Sequence, residues 1–306
     1  MYDLIIIGGG PAGTAAGVYA SRKQLKTLFV TNEWGGQSIV SPDIQNWIGT
    51  PSISGDQLAK DLENHLRTYA GDIVEIKDKT EVTNVEKNDD GFTVSFADGE
   101  SASARAVLIA SGSKRRRLGV PGSDELEHKG LTYCATCDGP LFTGQDVVVV
   151  GGGNAAFETA AQLLAYTKSV TLLNRGDSYK ADPVTVEKVL SHENMTSITG
   201  AVVSGVKGDK FVSGLSYKDA EGAEHTLDVT GIFVEIGMLP NTDFVASAVE
   251  LDDYKRVVID PWTQKTNVPG IWAAGDCTNV RYHQNNISAG DAVRALEDIY
   301  VTLKAK

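Results

Sequence analysis

An apolar run, a glycine-rich turn and a stretch of small residues follow one another at the start of the chain. Residues 3–7 predict a short buried strand, since residues 4–7 are continuously apolar. Residues 8–13 read Gly-Gly-Gly-Pro-Ala-Gly, and the small residues that continue to Ser21 predict a helix. A second apolar run at residues 27–30 predicts another strand. The sequence therefore predicts a strand–helix–strand unit with a glycine turn between its first strand and its helix.

The same pattern returns near the middle of the chain. Residues 146–150 predict a β-branched strand, and residues 151–156 read Gly-Gly-Gly-Asn-Ala-Ala. A helix is predicted to about Tyr166, followed by a strand over residues 170–173. Glycines at such a turn let the backbone approach a pyrophosphate, and the helix N-terminus supplies free N–H groups. Two matching units predict two nucleotide sites, although one of them could be kept only for its fold.

Strand-like and turn-like segments predict the rest of the architecture. Alternating residues favour strands at 92–96 and 106–110, and breaks in composition fall at 113–122 and 237–241. A last strand is predicted at 270–274. The amphipathic run from about Ser288 to Leu303 predicts a helix that needs a core, so we place it against the first domain. These features predict an α/β protein of two domains.

Composition and charge narrow the class of protein. The chain has 306 residues, 42% of them hydrophobic and 22% charged, which is typical of globular domains. A net charge of −12 argues against nucleic acid as the main partner. We find no leader-like start and no apolar run of about 18 residues, so we expect a cytoplasmic, non-membrane protein. The basic run Lys114–Arg117 is open to three readings: a solvated linker, a phosphate contact or a docking patch.

Cys134 and Cys137 form the one C-x-x-C pair of the sequence. Such a pair in a cytosolic protein indicates redox or metal chemistry, and the sequence offers no second ligand pair for a metal. A reversible disulfide makes one thiol nucleophilic, and Asp138 is a candidate proton donor or acceptor. A static disulfide is the alternative reading. Cys277 is interpreted as a small buried residue.

Several motifs, in this order, resemble those of bacterial-type thioredoxin reductases, which belong to the pyridine nucleotide-disulfide oxidoreductases. The motifs are Gly8–Gly13, Gly35-Gly36-Gln37, Asn46-Trp47, Cys134-Ala135-Thr136-Cys137-Asp138-Gly139, Gly151–Ala156 and Ala273-Ala274-Gly275-Asp276. The resemblance covers essentially the whole chain. The flavoprotein reductase of alkyl hydroperoxide systems shares this core and carries an additional N-terminal disulfide domain, for which we expect no counterpart here.

The resemblance implies two Rossmann-like, three-layer ββα domains, the second inserted in the first. Residues 1–113 and 244–306 would bind FAD, and residues 114–243 would bind NAD(P)H and carry the dithiol. The implied activity is that of a homodimeric thioredoxin-disulfide reductase that moves electrons from NADPH through FAD and the dithiol to thioredoxin or a thioredoxin-like protein. Cys137 would react with the flavin, Cys134 would exchange with the protein substrate, and Asp138 would act as acid and base.

The resemblance also implies which residues contact each cofactor. Glu33 lies about 20 residues beyond Gly13, where an acidic residue is expected to hold the adenosine ribose. The FAD residues would be Gly8, Gly10, Pro11, Ala12, Gly13, Glu33, Gly36, Gln37, Asn46, Val82, Ala110, Gly112, Gly275, Asp276, His283, Gln284 and Asn285. The nucleotide residues would be Gly151, Gly153, Asn154, Ala155, Arg175 and Lys180.

Two departures from the family pattern affect the electron donor. Where the family has a run of basic residues after the second strand of the nucleotide domain, this chain has Asn174, Arg175, Gly176 and Lys180. The usual Arg-Gln-Ala near the flavin is His283-Gln284-Asn285. Since no acidic residue stands at the strand end, we expect NADPH rather than NADH, bound weakly. The alternative is a degenerate nucleotide site in a protein that uses NADH or a non-pyridine donor.

Overall fold

The computed structural model describes residues 1–41 and 43–304. The chain forms two compact units: Met1–Lys114 with Leu239–Lys306, and Arg115–Met238. The second unit is inserted in the sequence of the first, and each unit is built around parallel strands. The α/β fold class is therefore confirmed. The domain boundaries expected at residues 113/114 and 243/244 lie within a few residues of the limits of these units, whereas the ligand of each unit stays a prediction.

Strands and helices alternate through both units. The strands are β1 (Tyr2–Gly9), β2 (Thr27–Trp34), β3 (Val74–Lys77), β4 (Val82–Asn88), β5 (Gly91–Phe96), β6 (Ser101–Ile109), β7 (Ser113–Arg115), β8 (Leu131–Thr132), β9 (Asp146–Val150), β10 (Ser169–Asn174), β11 (Met195–Thr199), β12 (Val202–Gly208), β13 (Val212–Lys218), β14 (Glu224–Leu227), β15 (Gly231–Val234), β16 (Met238–Pro240) and β17 (Ile271–Ala273). The helices are α1 (Pro11–Arg22), α2 (Gly55–Ala70), α3 (Ala135–Asp138), α4 (Asn154–Leu164), α5 (Pro183–Leu190) and α6 (Asn285–Lys304). Short 3-10 turns lie at Gly36–Val40, Gly139–Phe142 and Asp243–Val245.

The main sheet of the first unit follows the order β3-β2-β1-β6-β5-β4, with β17 also paired to β6. Strands β3, β2, β1, β6 and β17 run parallel, whereas β4, β5 and β6 form an antiparallel meander. Residues 4–7 of β1 are buried because apolar clusters cover both faces of the sheet. A strand covered on both sides has to be continuously apolar, which explains the pattern at the start of the chain.

Helix α6 returns to the first unit, as predicted, and begins at Asn285 rather than at Ser288. Its residues Leu296 and Ile299 are fully buried in one cluster with Leu4 and Phe29. Helix α6 packs mainly on α1. On another side of α1, Gly17 allows α2 to approach closely, because a Cβ at this position would lie 2.9 Å from a methyl group of Leu66. The C-terminal segment thus completes the core of the first unit.

The second unit has a parallel sheet of order β11-β10-β9-β15-β8 and an antiparallel sheet of order β12-β13-β14. Val148 of β9 pairs with Thr171 on one side and with Ile232 on the other. Helix α4 covers one face of the parallel sheet through Phe157. The helix ends two residues before the predicted Tyr166, because the next residues form a tighter turn in which Tyr166 N–H donates to the carbonyl of Leu163 at 3.1 Å.

The chain passes between the units at β7 and β16, and these two connecting strands pair with each other. Both lie at or beside the composition breaks predicted at residues 113–122 and 237–241. On the side of the first unit, Asn241 N–H donates to Gly112 O at 3.0 Å, and Ser111 Oγ donates to Asn241 O at 2.7 Å. The two connections are thereby held together at their base.

Within the described ranges, no helix combines the length and apolarity needed to cross a bilayer. The same residues contain no group of three His, Cys, Asp or Glu side chains placed to hold a metal ion.

We expect Leu296→Ala to destabilise the first unit by about 2–5 kcal/mol, since it leaves a cavity between α6 and β1. The matched control is Val301→Ala on the same helix, where the side chain is 57% exposed. Urea unfolding followed by circular dichroism should give a lower midpoint for the first variant and a nearly unchanged midpoint for the second. Equal midpoints for the two variants would contradict the packing of α6 described above.

Candidate active site

The first glycine turn is fixed by contacts that only glycine allows. Gly8 has φ of +122°, and a Cβ at this position would lie 2.2 Å from the carbonyl oxygen of Ala110. A Cβ on Gly13 would lie 1.8 Å from the carbonyl oxygen of Gly8. The turn therefore packs against the end of β6 on one side and against the first turn of α1 on the other. This packing opens a cleft over the carboxyl ends of the parallel strands.

The helices that follow the two glycine turns begin without a side-chain cap. Gly10 is the N-cap residue of α1 and Gly153 that of α4. By contrast, Ser54 caps α2 and Asp182 caps α5 through hydrogen bonds to backbone N–H groups. An uncapped helix start leaves N–H groups and the positive end of the helix dipole for an anion. Both turns thus share the feature that the sequence analysis expected of a phosphate-binding turn.

The cleft of the first unit encloses about 280 Å³. Most residues that the sequence assigned to FAD line it, namely Gly8, Gly10, Pro11, Ala12, Glu33, Gly36, Gln37, Val82, Ala110, Gly112, Gly275, Asp276 and Asn285. Gly13 lies beneath the turn, and Asn46, His283 and Gln284 lie outside the lining. The lining also includes Lys114, the first residue of the basic run, and it includes Ser38, Phe244 and Ser288, which motif reasoning missed because they belong to no short motif.

A network of amides and hydroxyls ties the segment after β2 to the start of α6. Asn46 Nδ2 donates to Gln284 Oε1 at 3.2 Å, and Asn286 Nδ2 donates to the carbonyl of Asn46 at 2.7 Å. Ser38 Oγ donates to Asn285 Oδ1 at 2.8 Å. Asn46 and Gln284, both expected to contact FAD, are thus bonded to each other outside the lining of the cleft. Asn285 reaches the cleft itself.

Asp276, which lines the cleft, and His283, which lies outside the lining, form a polar pair beside the start of α6. Ser288 Oγ donates to Asp276 Oδ1 at 3.1 Å, and His283 Nδ1 lies 3.4 Å from the same oxygen. The buried Nδ1 atom is close enough for an ion pair but is not oriented for a hydrogen bond within the described residues. The residue that replaces the family's arginine thus still supplies a basic nitrogen beside Asp276.

The donor set of the cleft fits FAD. A Cβ on Gly10 would meet nothing nearer than the Cα of Gly36 at 3.9 Å, so the turn leaves room for a pyrophosphate beside the uncapped start of α1. Glu33, exposed at the end of β2, is placed to accept hydrogen bonds from ribose hydroxyls. Gln37 and Asp276 also line the cleft, where they can form hydrogen bonds with the rest of the dinucleotide. Gln37 Nε2 donates to Ser113 Oγ at 3.1 Å.

The predicted dithiol is an intramolecular disulfide in the second unit. Cys134 and Cys137 are bonded, with their Cα atoms 5.3 Å apart. Cys134 is the N-cap residue of α3, and its Sγ accepts a hydrogen bond from the backbone N–H of Cys137 at 3.2 Å. Both cysteines are half-buried. The disulfide is therefore accessible, and a donor stabilises negative charge on the sulfur of Cys134.

Two residues that sequence reasoning missed hold the dithiol in place. Thr132 Oγ1 donates to Asp138 Oδ2 and accepts a hydrogen bond from Cys134 N–H at 3.3 Å. Gln162 on α4 donates from Nε2 to the carbonyl of Ala135 at 3.2 Å. Because α4 also begins at the second glycine turn, one helix supports both the dithiol and the expected phosphate site. Neither role carries a local sequence signal.

The second glycine turn is closed by Asn174 and Lys180. A Cβ on Gly152 would lie 2.2 Å from Asn174 Oδ1, so the amide packs directly on the turn. Lys180 N–H donates to Gly152 O at 2.7 Å, and Asn154 Oδ1 accepts from Asp182 N–H at 2.8 Å. Asn174 is buried and bonds to its own loop, donating to Ser178 O at 2.8 Å. The structure thus brings the predicted nucleotide residues to one edge of the sheet.

Arg175 and Lys180 are exposed at this edge, as is Ala155 in the first turn of α4. Two cationic side chains therefore flank the loop after β10, where the ribose of a dinucleotide is expected. A guanidinium group can bind a phosphate through two hydrogen bonds, whereas a carboxylate would bind ribose hydroxyls. The edge thus carries the charge of a phosphate-binding site, with fewer basic groups than the family pattern supplies.

The comparisons with known proteins agree with this geometry. The sequence family described as pyridine nucleotide-disulphide oxidoreductase matches residues 2–292. The chain belongs to this family. A thioredoxin reductase from Streptococcus pyogenes MGAS5005 is 33% identical and superposes with a TM-score of 0.91 over 100% of this chain and 99% of that one. This likeness shows that the chain has a thioredoxin reductase-like fold.

Relatives with other names match the sequence as well. A component of the alkyl hydroperoxide reductase of Escherichia coli (strain K12) is 40% identical over 296 residues, which are 96% of this chain and 57% of that protein. An NADH dehydrogenase of Bacillus subtilis (strain 168) is 36% identical over 295 residues, with the same shares. The chain therefore spans 57% of the length of these relatives.

Cys277 lies near the cleft, but its surroundings make the thiol unreactive. It is fully buried, and its Sγ donates to the carbonyl of Ala274 at 3.4 Å. Burial raises the pKa of the thiol to about 11, because a thiolate would lose its solvation. These surroundings fit the interpretation of Cys277 as a small buried residue.

We expect iodoacetamide at pH 7.5 to label the reduced native protein at Cys134 or Cys137 and to leave Cys277 unlabelled, since so little of this thiol is ionised. The control is the same reaction in urea, where all three cysteines should react. Mass spectrometry of tryptic peptides locates the label. Labelling of native Cys277 as fast as in urea would contradict the assignment of an inert thiol.

Proposed function

We propose that this protein is a thioredoxin-disulfide reductase in which electrons pass from NADPH through FAD and the Cys134–Cys137 pair to a thioredoxin-like protein. The observation that carries the proposal is the attachment of the disulfide to α4. Gln162 fastens the short dithiol helix to the helix that begins at the second glycine turn. A disulfide attached to the helix of the expected nucleotide site supports a redox role and not only the stabilisation of a loop.

FAD would be held by the first unit. The turn at Gly8–Gly13 would receive its pyrophosphate, Glu33 the adenosine ribose, and Asp276 and Asn285 the flavin half. Bound there, FAD supplies the step that converts a two-electron hydride donor into a reductant for a disulfide. The hydrogen bonds between Asn46, Gln284 and Asn286 would hold the segment beside this site in place.

The two cysteines would have different roles. Reduction of the disulfide takes up two electrons and two protons and gives two thiols. Cys134 would attack the partner's disulfide, since the N–H of Cys137 favours a thiolate on its sulfur. Cys137 would then displace the partner's thiol and reform the bond, and Asp138, held by Thr132, would move the proton.

Further parts of the proposal concern the setting of the enzyme. We infer a cytoplasmic homodimer, on the strength of the likeness to thioredoxin reductases. NADPH is favoured over NADH because Arg175 and Lys180 flank the loop after β10, where no carboxylate stands at the strand end. The Asp276–His283 pair belongs to this chain's version of the flavin wall.

A second candidate is supported by the names of the relatives that match 96% of the chain. In this version the partner belongs to an alkyl hydroperoxide reductase system, and NADH is the donor. A third version has a degenerate second site and a non-pyridine donor. Anaerobic mixing of the flavoprotein with NADPH or NADH, followed by addition of thioredoxin or of a peroxidase, separates the three. Reduction by NADPH and rapid turnover with thioredoxin support the first; flavin left oxidised by both nucleotides excludes it.

We expect Gly8→Ala to weaken FAD binding at least tenfold, because the methyl group would meet the carbonyl of Ala110. Gly99→Ala is the matched control: Gly99 also has a positive φ, +85°, but a Cβ there meets nothing within 4 Å. The ratio of absorbance at 450 nm to that at 280 nm measures flavin content after purification. A yellow Gly8→Ala protein with full occupancy would contradict the placement of FAD.

The single cysteine variants should differ in kind. We expect Cys134→Ser to keep a Cys137 thiolate beside the flavin and to show a charge-transfer absorption band, whereas Cys137→Ser should lack it. Turnover with a protein disulfide should fall to background in both. Cys277→Ser provides the control, because its thiol is buried and inert. Wild-type turnover in either of the first two variants would exclude the dithiol as the working group.

Arg175→Ala tests the donor. Loss of one charged hydrogen bond, about 1.5–3 kcal/mol, should raise the KM for NADPH roughly tenfold or more and leave the KM for NADH nearly unchanged. Lys168→Ala is the control, since this exposed cation pairs with Asp146 at the opposite end of the same sheet. Stopped-flow reduction of the flavin gives both constants. An equal rise in the KM values for NADPH and NADH would show that Arg175 does not bind a 2′-phosphate.

A further inference from the structure

Glu235 lies directly after β15, at the carboxyl edge of the parallel sheet of the second unit. In that sheet β9 stands between β10 and β15. The glycine turn follows β9, and the exposed Arg175 follows β10. Glu235 therefore stands on the other side of the turn from Arg175.

The residue is firmly held against the glycine turn. Its backbone N–H donates to Val150 O at 2.8 Å, and its carbonyl oxygen would lie 2.3 Å from a Cβ on Gly151. Thr159 Oγ1, on α4, donates to Glu235 Oε1 at 2.9 Å. The carboxyl group is thus positioned by the helix that also positions the expected pyrophosphate.

Opposing contributions from burial, neighbouring charges and a hydrogen bond determine the pKa of this carboxyl group. Burial raises the pKa of Glu235 to about 7, and the nearby Glu158 raises it further, whereas the hydrogen bond from Thr159 and the charge of Arg115 lower it. Glu158 faces Glu235 from α4, and Arg115 faces it from β7. At neutral pH the group is therefore about half ionised, unlike an ordinary surface glutamate.

A dinucleotide bound at this edge has a defined direction. With its pyrophosphate at the start of α4 and its adenosine ribose beside Arg175, the other half of the molecule extends across β9 towards β15. That half ends in the nicotinamide ring, which is neutral when reduced and carries one positive charge when oxidised. Loss of a hydride, two electrons and one proton, creates that charge, and Glu235 gains or loses no atom in the step.

We propose that Glu235 is the donor site's sensor of the oxidation state of the nicotinamide, its carboxylate stabilising the cationic oxidised ring more than the neutral reduced ring. The inference rests on the proposed use of a pyridine nucleotide. It assigns to Glu235 a binding role that no short motif of the sequence indicates. It also distinguishes Glu235 from Arg175, which acts on the other half of the same ligand.

The sign of the pH dependence follows from the charges. As pH rises through about 7, Glu235 ionises and affinity for the oxidised nucleotide should rise relative to affinity for a neutral-ring nucleotide. The phosphates are common to both ligands, so their own titration and their repulsion by Glu235 cancel in the ratio of the two dissociation constants. By linkage, binding of the oxidised nucleotide near pH 7 should release protons.

The test uses the full-length FAD-loaded protein and two redox-inert titrations between pH 5.5 and pH 8.5. One ligand is NADP⁺, and the other is the tetrahydro analogue of NADPH, which has a neutral ring and gives no hydride. Isothermal titration calorimetry should show the affinity ratio shifting towards NADP⁺ by about tenfold across this range. Repeating the NADP⁺ titration at pH 7 in buffers of different ionisation enthalpy gives the number of protons released.

Three variants sharpen the result. Glu235→Gln should flatten the ratio and lower the number of protons released on NADP⁺ binding, whereas Glu193→Gln, at an exposed glutamate of the same unit, should behave as the wild type. Thr159→Val should move the midpoint to higher pH, since the hydroxyl that favours the ionised carboxylate is gone. Circular dichroism checks that each variant is folded.

Two outcomes overturn the inference in distinguishable ways. Tight binding of both ligands with a pH-independent ratio, or the same pH dependence in Glu235→Gln as in the wild type, removes the role of Glu235 and leaves the proposed function intact. Failure of both ligands to bind at any pH removes the nucleotide donor itself, and the sensor with it.

Discussion

Both glycine turns of this protein are positioned by a contact between a glycine and the end of a neighbouring strand. In the first unit a Cβ on Gly8 would meet the carbonyl of Ala110, and in the second a Cβ on Gly151 would meet the carbonyl of Glu235. The two contacts are equivalent, since each glycine lies at the carboxyl end of a central strand, β1 or β9, and each carbonyl follows the neighbouring parallel strand, β6 or β15. A side chain on either glycine would push the turn away from the neighbouring strand and displace the backbone that is expected to bind a phosphate.

The rest of the chemistry is arranged around the helices that start at these turns. Because α1 and α4 begin with glycine rather than with a capping side chain, their first N–H groups are left for a ligand. Helix α4 carries more than this: Gln162 supports the dithiol, and Thr159 holds Glu235. One helix therefore connects the disulfide, the expected phosphate site and a carboxyl group that titrates near neutrality.

The likeness to thioredoxin reductases and the names of the sequence relatives bear on different parts of the molecule. The cleft of the first unit and the C-x-x-C pair carry the proposed flavin and disulfide chemistry, whichever acceptor the protein serves. The choice of donor falls to the edge of the second sheet, where Asn174, Arg175 and Lys180 stand. Identity of acceptor and donor is therefore a question about a few exposed side chains and not about the fold.

The sequence by itself determined both strand–glycine–helix units, the dithiol and most of the cleft, because these depend on local spacing: Gly8, Glu33 and Cys134 can be read without knowing what lies opposite them. It also predicted the return of α6 from its apolar stripe. Only the tertiary structure decided what residues distant in sequence do to one another. Thr132 beneath Asp138, Ser38 against Asn285, and Glu235 buried beside Thr159 became visible only when the sheet brought their elements together, since burial and hydrogen bonding across elements leave no periodic signal in the chain.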